Sequence, residues 1–322
     1  MKPTVTVPLA LASSVVLLQA ACSTATSPGG LTHPAGIVAA TPPLPGQPYG
    51  IAIAPTGEVL VAEVFAGVVS AFTLPDTLPG ASLTAGVQPV HVAIDATGSR
   101  AYVINQAGQA VRILTLSPLA VIDTLALTND GFNIAVAPNG QRVYATTADG
   151  RVYVIATTSN TIVDSMRVGG AANGLAFSPS GDRLYISSRD AGTVTVFNTQ
   201  TDAPVDTIVT TGAPQRLAMS QDGSMLFAAN EAVGINVIAL PAGTLLPNIP
   251  LDGSGYGLGL TPDGEQLYAT NPTTGRIFIV DVADRHLVNT LVVGGAPRNV
   301  AFDHDGRTAI VTDGDGRVIF IH

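Results

Sequence analysis

The chain has 322 residues, 46% hydrophobic and 11% charged, a balance that excludes extended disorder and leaves enough apolar side chain for a large core. The formal net charge is −9, and because Lys2 is the lone lysine the part after residue 21 carries −10. That acidity opposes a nucleic-acid backbone as partner, since such binding depends on a basic surface and released counterions. A single cysteine, Cys22, excludes an internal disulfide, a cysteine-based zinc cage and a paired-cysteine haem attachment.

Taken in chain order, residues 1–21 read as an export signal. Lys2 gives a positive start, Val5 to Leu18 is mostly apolar though interrupted by Pro8, and the small pair Ala20-Ala21 leads to Cys22. The pattern resembles a bacterial lipoprotein signal, in which the cysteine becomes the lipidated first residue; Gln19 stands where that pattern prefers leucine. The alternative is ordinary signal-peptidase cleavage nearby. The apolar stretch is too short for a lasting membrane span. The expectation is therefore an extracytoplasmic protein, either held in the bacterial cell envelope by a lipid on Cys22 or secreted or periplasmic. Residues 22–35, rich in Ser, Thr, Pro and Gly, read as a flexible tether.

Residues 36–322 are periodic. Turn glycines recur at Gly57, Gly98, Gly140, Gly181, Gly223, Gly264 and Gly306, with spacings that alternate between 41 and 42 residues. Each is preceded by an apolar triplet with a small centre, such as Val92-Ala93-Ile94 or Leu175-Ala176-Phe177, and followed by a second strand such as Arg183-Leu184-Tyr185-Ile186. A third strand, Thr193 to Phe197, and a fourth, Pro204 to Val209, complete the unit. Four antiparallel strands per repeat make a propeller blade, so the fold class is all-β, a seven-bladed β-propeller. The small centre of the first strand is expected where blades crowd the axis. His322 falls where a third strand ends, so the last blade lacks its fourth, and Gly36 to Pro45 is expected to supply it and close the ring. Pro42, Pro43 and Pro45 are tolerable there because a fourth strand is an outer edge.

The second strands carry Tyr102-Val103-Ile104-Asn105, Tyr144-Ala145-Thr146-Thr147, Tyr185-Ile186-Ser187-Ser188, Phe227-Ala228-Ala229-Asn230 and Tyr268-Ala269-Thr270-Asn271, with degenerate copies at Val61-Ala62-Glu63-Val64 and Ile310-Val311-Thr312-Asp313. They resemble the YVTN family of seven-bladed propellers (YncE-like), exported or surface proteins of bacteria and archaea. The resemblance covers nearly the whole of residues 36–322 and implies the fold; it leaves function open, because this architecture hosts binding modules and enzymes alike.

In such a propeller the loops leading into first strands and those leaving second strands share one face, the mouth of a central funnel. The leading positions hold Tyr49-Gly50, Val90-His91, Phe132-Asn133, Asn173-Gly174, Gln215-Arg216, Tyr256-Gly257 and Arg298-Asn299. Tyr49, His91, Phe132, Asn133, Asn173, Gln215, Arg216, Tyr256, Arg298 and Asn299 are thus the candidate ligand-binding residues. Aromatics, arginines and amides without a carboxylate suit hydrogen bonding and stacking with an anionic or planar group; the alternative is a water-filled funnel or a protein-docking face. Asn105, Asn230, Asn271 and Asp313 end their strands and are expected to cap the next turn. Asp313-Gly314-Asp315-Gly316 resembles a calcium loop only in part and is expected to be a tight turn. Arg100, Arg142, Arg183 and Arg307, just after turn glycines, are expected to be solvated.

The five histidines form no i, i+4 pair, and neither HExxH nor GxSxG occurs, so no catalytic residue, metal ligand or cofactor is assigned. The sequence therefore points to a monomeric, non-enzymatic binding scaffold that takes a protein partner or a small anionic or aromatic ligand at the funnel. The second possibility is a hydrolase resembling propeller lactonases, some of which hold a divalent metal at the channel mouth with Glu, Asn and Asp. In this chain that requires Glu63, Asp149, Asp190, Glu231 or Asp315 to reach inward. Quinone, haem and copper propellers fit poorly with no Trp and one Cys. A nucleic-acid role would rest on Arg216 and Arg298 with Tyr49, Phe132 and Tyr256 for stacking, against the overall charge.

Overall fold

A computed structural model of the chain describes residues 33, 34, 36, 38–41 and 43–322. The export signal, Cys22 and most of the tether lie outside the described residues, as does Pro42. All seven turn glycines have φ between 69° and 85°, the left-handed region that a Cβ makes expensive. Neighbouring side chains tighten the same turns: the Asp95, Asp222 and Asp263 carboxylates accept from the backbone N–H groups of Ser99, Ser224 and Glu265 at 2.9, 3.0 and 3.0 Å. Each turn thus fixes a hairpin, and the sequence between turns folds as strands.

The result is seven four-stranded antiparallel sheets, and among the described residues there is no helix. Six blades run in chain order from the axis outward. Their innermost strands are Pro48–Ile53, Pro89–Ile94, Gly131–Val136, Ala172–Phe177, Pro214–Met219 and Leu258–Leu260. The seventh blade begins with Pro297–Phe302 and Ala309–Asp313, continues with Arg317–Ile321, and takes its fourth strand from Val38–Ala40. Val38 pairs with Ile321 and Ala40 with Ile319, antiparallel, so the two ends of the chain close the ring. Pro43 and Pro45 follow that strand and demand nothing of its ladder. Because the Val38 end pairs near the turn-glycine face, the chain leaves the propeller on the side opposite the mouth. His33 lies there too, its Nε2 2.8 Å from Asp263.

The apolar core consists of seven clusters, each shared by two neighbouring blades. Between the second and third blades Tyr102, Ile104 and Ile113 meet Ile134, Val143, Ala145 and Ile155. Between the seventh and first, Ile310, Val318 and Phe320 meet Ile51, Val59, Val61 and Phe72. In five of the seven clusters the wedge is the aromatic that opens the second-strand motif: Tyr102, Tyr144, Phe227 and Tyr268 are fully buried and Tyr185 is 6% exposed, each contributing about 1.5–3 kcal/mol through burial, while Leu60 and Ile310 take that place in the other two. Outer strands, by contrast, expose Val163, Val205, Val209, Val288 and Val292.

Two sequence expectations are corrected here. In the first blade Ile51 pairs with Val61, as Val92 pairs with Val103 and Ile134 with Ala145, so the motif there is Leu60-Val61-Ala62-Glu63 and not Val61-Ala62-Glu63-Val64. The cause is a shorter turn: Ala54 N–H bonds the Glu58 carbonyl, whereas Asp95 reaches Arg100 one residue further on. Glu63 therefore occupies the strand-end position, fully buried, accepting from Gly46 N–H at 2.9 Å and from the Ser70 hydroxyl. Secondly, Arg100 and Arg142 are not merely solvated. Arg142 crosses to the next blade, 2.5 Å from the Asp202 carboxylate and 3.1 Å from the Thr199 carbonyl, and Arg100 likewise binds the Thr157 carbonyl and the Asn160 side chain. Arg183 and Arg307 match the expectation, pairing locally with Asp182 and Asp305 near solvent.

Candidate functional site

Three of the four named strand-end residues cap turns; Asn105 does not, its buried Oδ1 taking no backbone N–H while its Nδ2 donates to the Val103 and Ala110 carbonyls. Asn230 Oδ1 accepts from Ala213 and Ala232 N–H groups, Asn271 Oδ1 from Thr273 and Thr274, and Asp313 Oδ1 from Ala296 and Asp315. Asp313 is also held by Arg317 at 2.6 Å, so the Asp313–Gly316 segment is a structural turn. One residue earlier, a hydroxyl sets the mouth. Thr146, Ser187, Thr270 and Thr312 accept from the backbone N–H of their own blade's leading residue (Asn133, Gly174, Gly257, Asn299). The same hydroxyls donate to the carbonyls of Asn173, Gln215, Arg298 and Tyr49 in the following blade. Bulges at the leading positions, for example between Pro214 and Leu217 and between Pro297 and Val300, turn the attached side chains toward the axis.

These devices surround a cavity of about 390 Å³ at the mouth, large enough for a small organic ligand. Tyr49, Phe132, Asn173, Gln215, Arg216 and Tyr256, all named from the sequence, line it. Arg298 packs beside it, its guanidinium 5.3 Å from the Tyr256 ring centroid and 5.7 Å from that of Tyr49. The two tyrosine hydroxyls bond one another across the blade between them. Burial, and then Tyr256, push the Tyr49 hydroxyl well above its usual range, so it stays protonated. Asn299 ties Arg216 in place, accepting from its Nε at 3.1 Å and donating to the Tyr49 carbonyl at 2.6 Å. His91 is half-buried with Nδ1 shut away from solvent, and burial together with Arg216 holds its pKa well below the usual imidazole value. Asn133 stands apart: it is buried, its side chain accepting from the Ile134 N–H rather than facing the cavity.

Val90, a leading residue not among the named candidates, also lines it, and residues the leading positions do not reveal complete the wall: Val64, Phe65, Gln106, Arg189 and Glu231 from loops leaving second strands, with Gln47 and Gln88. Val64, Gln106, Arg189 and Glu231 each come directly after the strand-end residue, a positional signal the repeat itself carries. Glu231 is the carboxylate that reaches inward. It accepts from Gln215 Nε2 at 2.6 Å and Arg189 at 2.8 Å, and Gln215 accepts from Asn173 at 2.7 Å. Glu231 thus neutralises Arg189, while among the described residues neither Arg216 nor Arg298 has a carboxylate within ion-pair distance.

Two groupings stand close enough to share a cation, His33 with Asp263 and Glu265, and Asp281 with Asp284 and His286. Both lie on the face opposite the mouth. Of the other outer-loop carboxylates, Glu63 is consumed by bonds to Gly46 and Ser70, Asp149 bonds Thr147 and Arg151, Asp190 lies exposed beside Arg189, and Asp315 is exposed. A Glu-Asn-Asp metal set at the mouth does not fit these residues.

Fold and cavity together define a seven-bladed propeller with a cationic funnel. The family model for "Lactonase, 7-bladed beta-propeller" matches residues 73–240, and the chain belongs to that family. No curated protein matches in sequence. Among solved structures, hydrazine synthase of Kuenenia stuttgartiensis is similar in fold: TM-score 0.78 at 17% identity, covering 87% of this chain and 96% of that one.

Proposed function

We propose that the protein is an extracytoplasmic, YVTN-type binding protein whose funnel takes a small anionic ligand. The observation that carries this reading is the pair Arg216 and Arg298. Both guanidinium groups stand at the mouth without an acidic partner among the described residues, in a chain whose net charge is −9. Excess cationic charge, partly sheltered from water and held by Asn299, Tyr49 and Tyr256, favours an anion that supplies the missing counter-charge. The wall opposite those arginines offers amide donors and a Phe132 face for a planar group. Residues 1–22 support export, with Cys22 as a lipid attachment point.

The test is calorimetric titration with small carboxylates and inorganic phosphate. Arg216→Gln with Arg298→Gln is expected to weaken binding at least 100-fold, about 1.5–3 kcal/mol for each charged hydrogen bond lost, with an unchanged far-ultraviolet spectrum. Equal affinity in the variant would move the site elsewhere.

A hydrolytic reading is favoured by membership of the lactonase family. Glu231 is the cavity carboxylate available to activate water in it, oriented by its bonds to Arg189 and Gln215. Lactone hydrolysis that is lost in Glu231→Gln and indifferent to EDTA and calcium would establish that reading; its absence, with anion binding intact, would reject it.

A further inference from the structure

The cavity lining is segregated around the axis. Along the arc of the first three blades the wall is uncharged, with four apolar side chains, Val64, Phe65, Val90 and Phe132, set among glutamines. The charged members come from the fourth and fifth blades, Arg189 with Glu231 and then Arg216. Val64 and Val90 are buried, whereas Phe65 is 74% exposed, an aromatic ring held at the lip with little of its surface covered. An exposed large apolar side chain beside a concave site is surface left for a ligand to cover. Arg189 is spent on Glu231 and Arg298 lies over the Tyr49 and Tyr256 rings beside the lining, so Arg216, tied by Asn299, supplies the free positive charge within the cavity wall. A molecule whose anionic group meets Arg216 has its remaining atoms directed along the apolar arc toward Phe65.

We propose that the ligand is an amphiphilic monoanion, an aryl or alkyl carboxylate with its head on Arg216 and its apolar body against Val64, Val90, Phe132 and Phe65. This rests on the anion-binding reading above and narrows it. A bare inorganic anion would leave the arc hydrated and Phe65 uncovered. A neutral apolar molecule would leave Arg216 uncompensated. A dianion with charge at both ends would set one charge against Val64, Val90 and Phe132, on an arc whose lining has no cationic side chain to pair it.

The full-length exported chain is titrated by calorimetry at pH 7 with acetate, inorganic phosphate, benzoate, octanoate, benzyl alcohol and benzylamine. Benzoate and octanoate are expected to bind at least tenfold more tightly than each of the others. Phe65→Ser, at a solvent-exposed position that folding does not need, is expected to weaken octanoate severalfold and leave acetate unchanged. Arg216→Gln is expected to abolish the preference of benzoate over benzyl alcohol. Acetate or phosphate binding as tightly as octanoate would leave anion binding standing and overturn the amphiphile. Benzyl alcohol binding as well as benzoate would overturn the Arg216 head site. Failure of every anion in the series would overturn both.

Discussion

Gly257 tests whether the close approach of innermost strands sets the funnel. An alanine Cβ there would fall 2.0 Å from the Arg298 carbonyl oxygen and 2.8 Å from Thr270 Oγ1. Non-bonded carbon and oxygen rest at roughly 3.3–3.6 Å, so the sixth and seventh blades would have to part by more than about 1 Å. The obstacle on the far side is backbone, which no rotamer change relieves. Overpacking of this kind costs about 1–3 kcal/mol, and the upper end applies because the Thr270 stitch to the Arg298 carbonyl is lost as well. For a domain of this size that is a fall of roughly 6 °C in Tm. Since Arg298 and Tyr256 move with the strands, octanoate affinity in calorimetry should fall with it. Gly140→Ala is the companion variant. Its Cβ would meet nothing within 4 Å, but φ is +69°, so left-handed strain costs about 1–2 kcal/mol on the opposite face and binding should be untouched. If Gly257→Ala proved no more destabilising than Gly140→Ala and bound octanoate normally, the mouth would not be set by strand approach at that point.

Two further outcomes follow from contacts outside the cavity. Arg142→Met leaves the nearly buried Asp202 carboxylate with only the Tyr144 hydroxyl, 3.1 Å away, and should lower stability by about 2 kcal/mol in urea unfolding; an Asp202→Asn cycle with no coupling would show that the two side chains do not act as a pair. His91, held neutral by burial and Arg216, makes the unfolded chain bind more protons than the folded one below about pH 6.5. Stability should therefore drop as pH falls through that range, by up to about 1.4 kcal/mol per unit, and be unaffected above it. His91→Gln should flatten the slope, and parallel wild-type and variant curves between pH 5 and 6.5 would refute the assignment.

The blade count and the ring closure were legible because both depend on backbone chemistry that sequence records directly. A glycine with φ between 69° and 85° marks each turn, and in six of the seven an Asp, Asn or Ser flanks it, a pairing that is not mistaken for core. The leading positions were legible for the same reason, being a fixed count from each glycine. What escaped depended on side chains meeting across blades. Arg142 looks solvated until the third-to-fourth strand turn of the next blade, with Asp202 at φ 52°, is placed opposite it. Glu231 reads as an outer-loop carboxylate, and only the placement of Gln215 and Arg189 draws it into the cavity. The first blade misled by one residue because its turn omits one after Gly57, which a constant spacing between glycines conceals. Asn133 was placed in the funnel by count alone, and its side chain accepts from the Ile134 N–H without joining the cavity lining.

The closing strand also sets an orientation. Val38–Ala40 runs from the turn-glycine face toward the mouth, and His33 sits beside Asp263 on that same base. The seam where the two ends of the described chain meet is therefore at the far end of the propeller from Arg216 and the cavity. Loosening the seam and altering the mouth are separable perturbations: a change at Val38 or Ile321 strains the ring from below, and a change at Arg216 touches the ligand end alone.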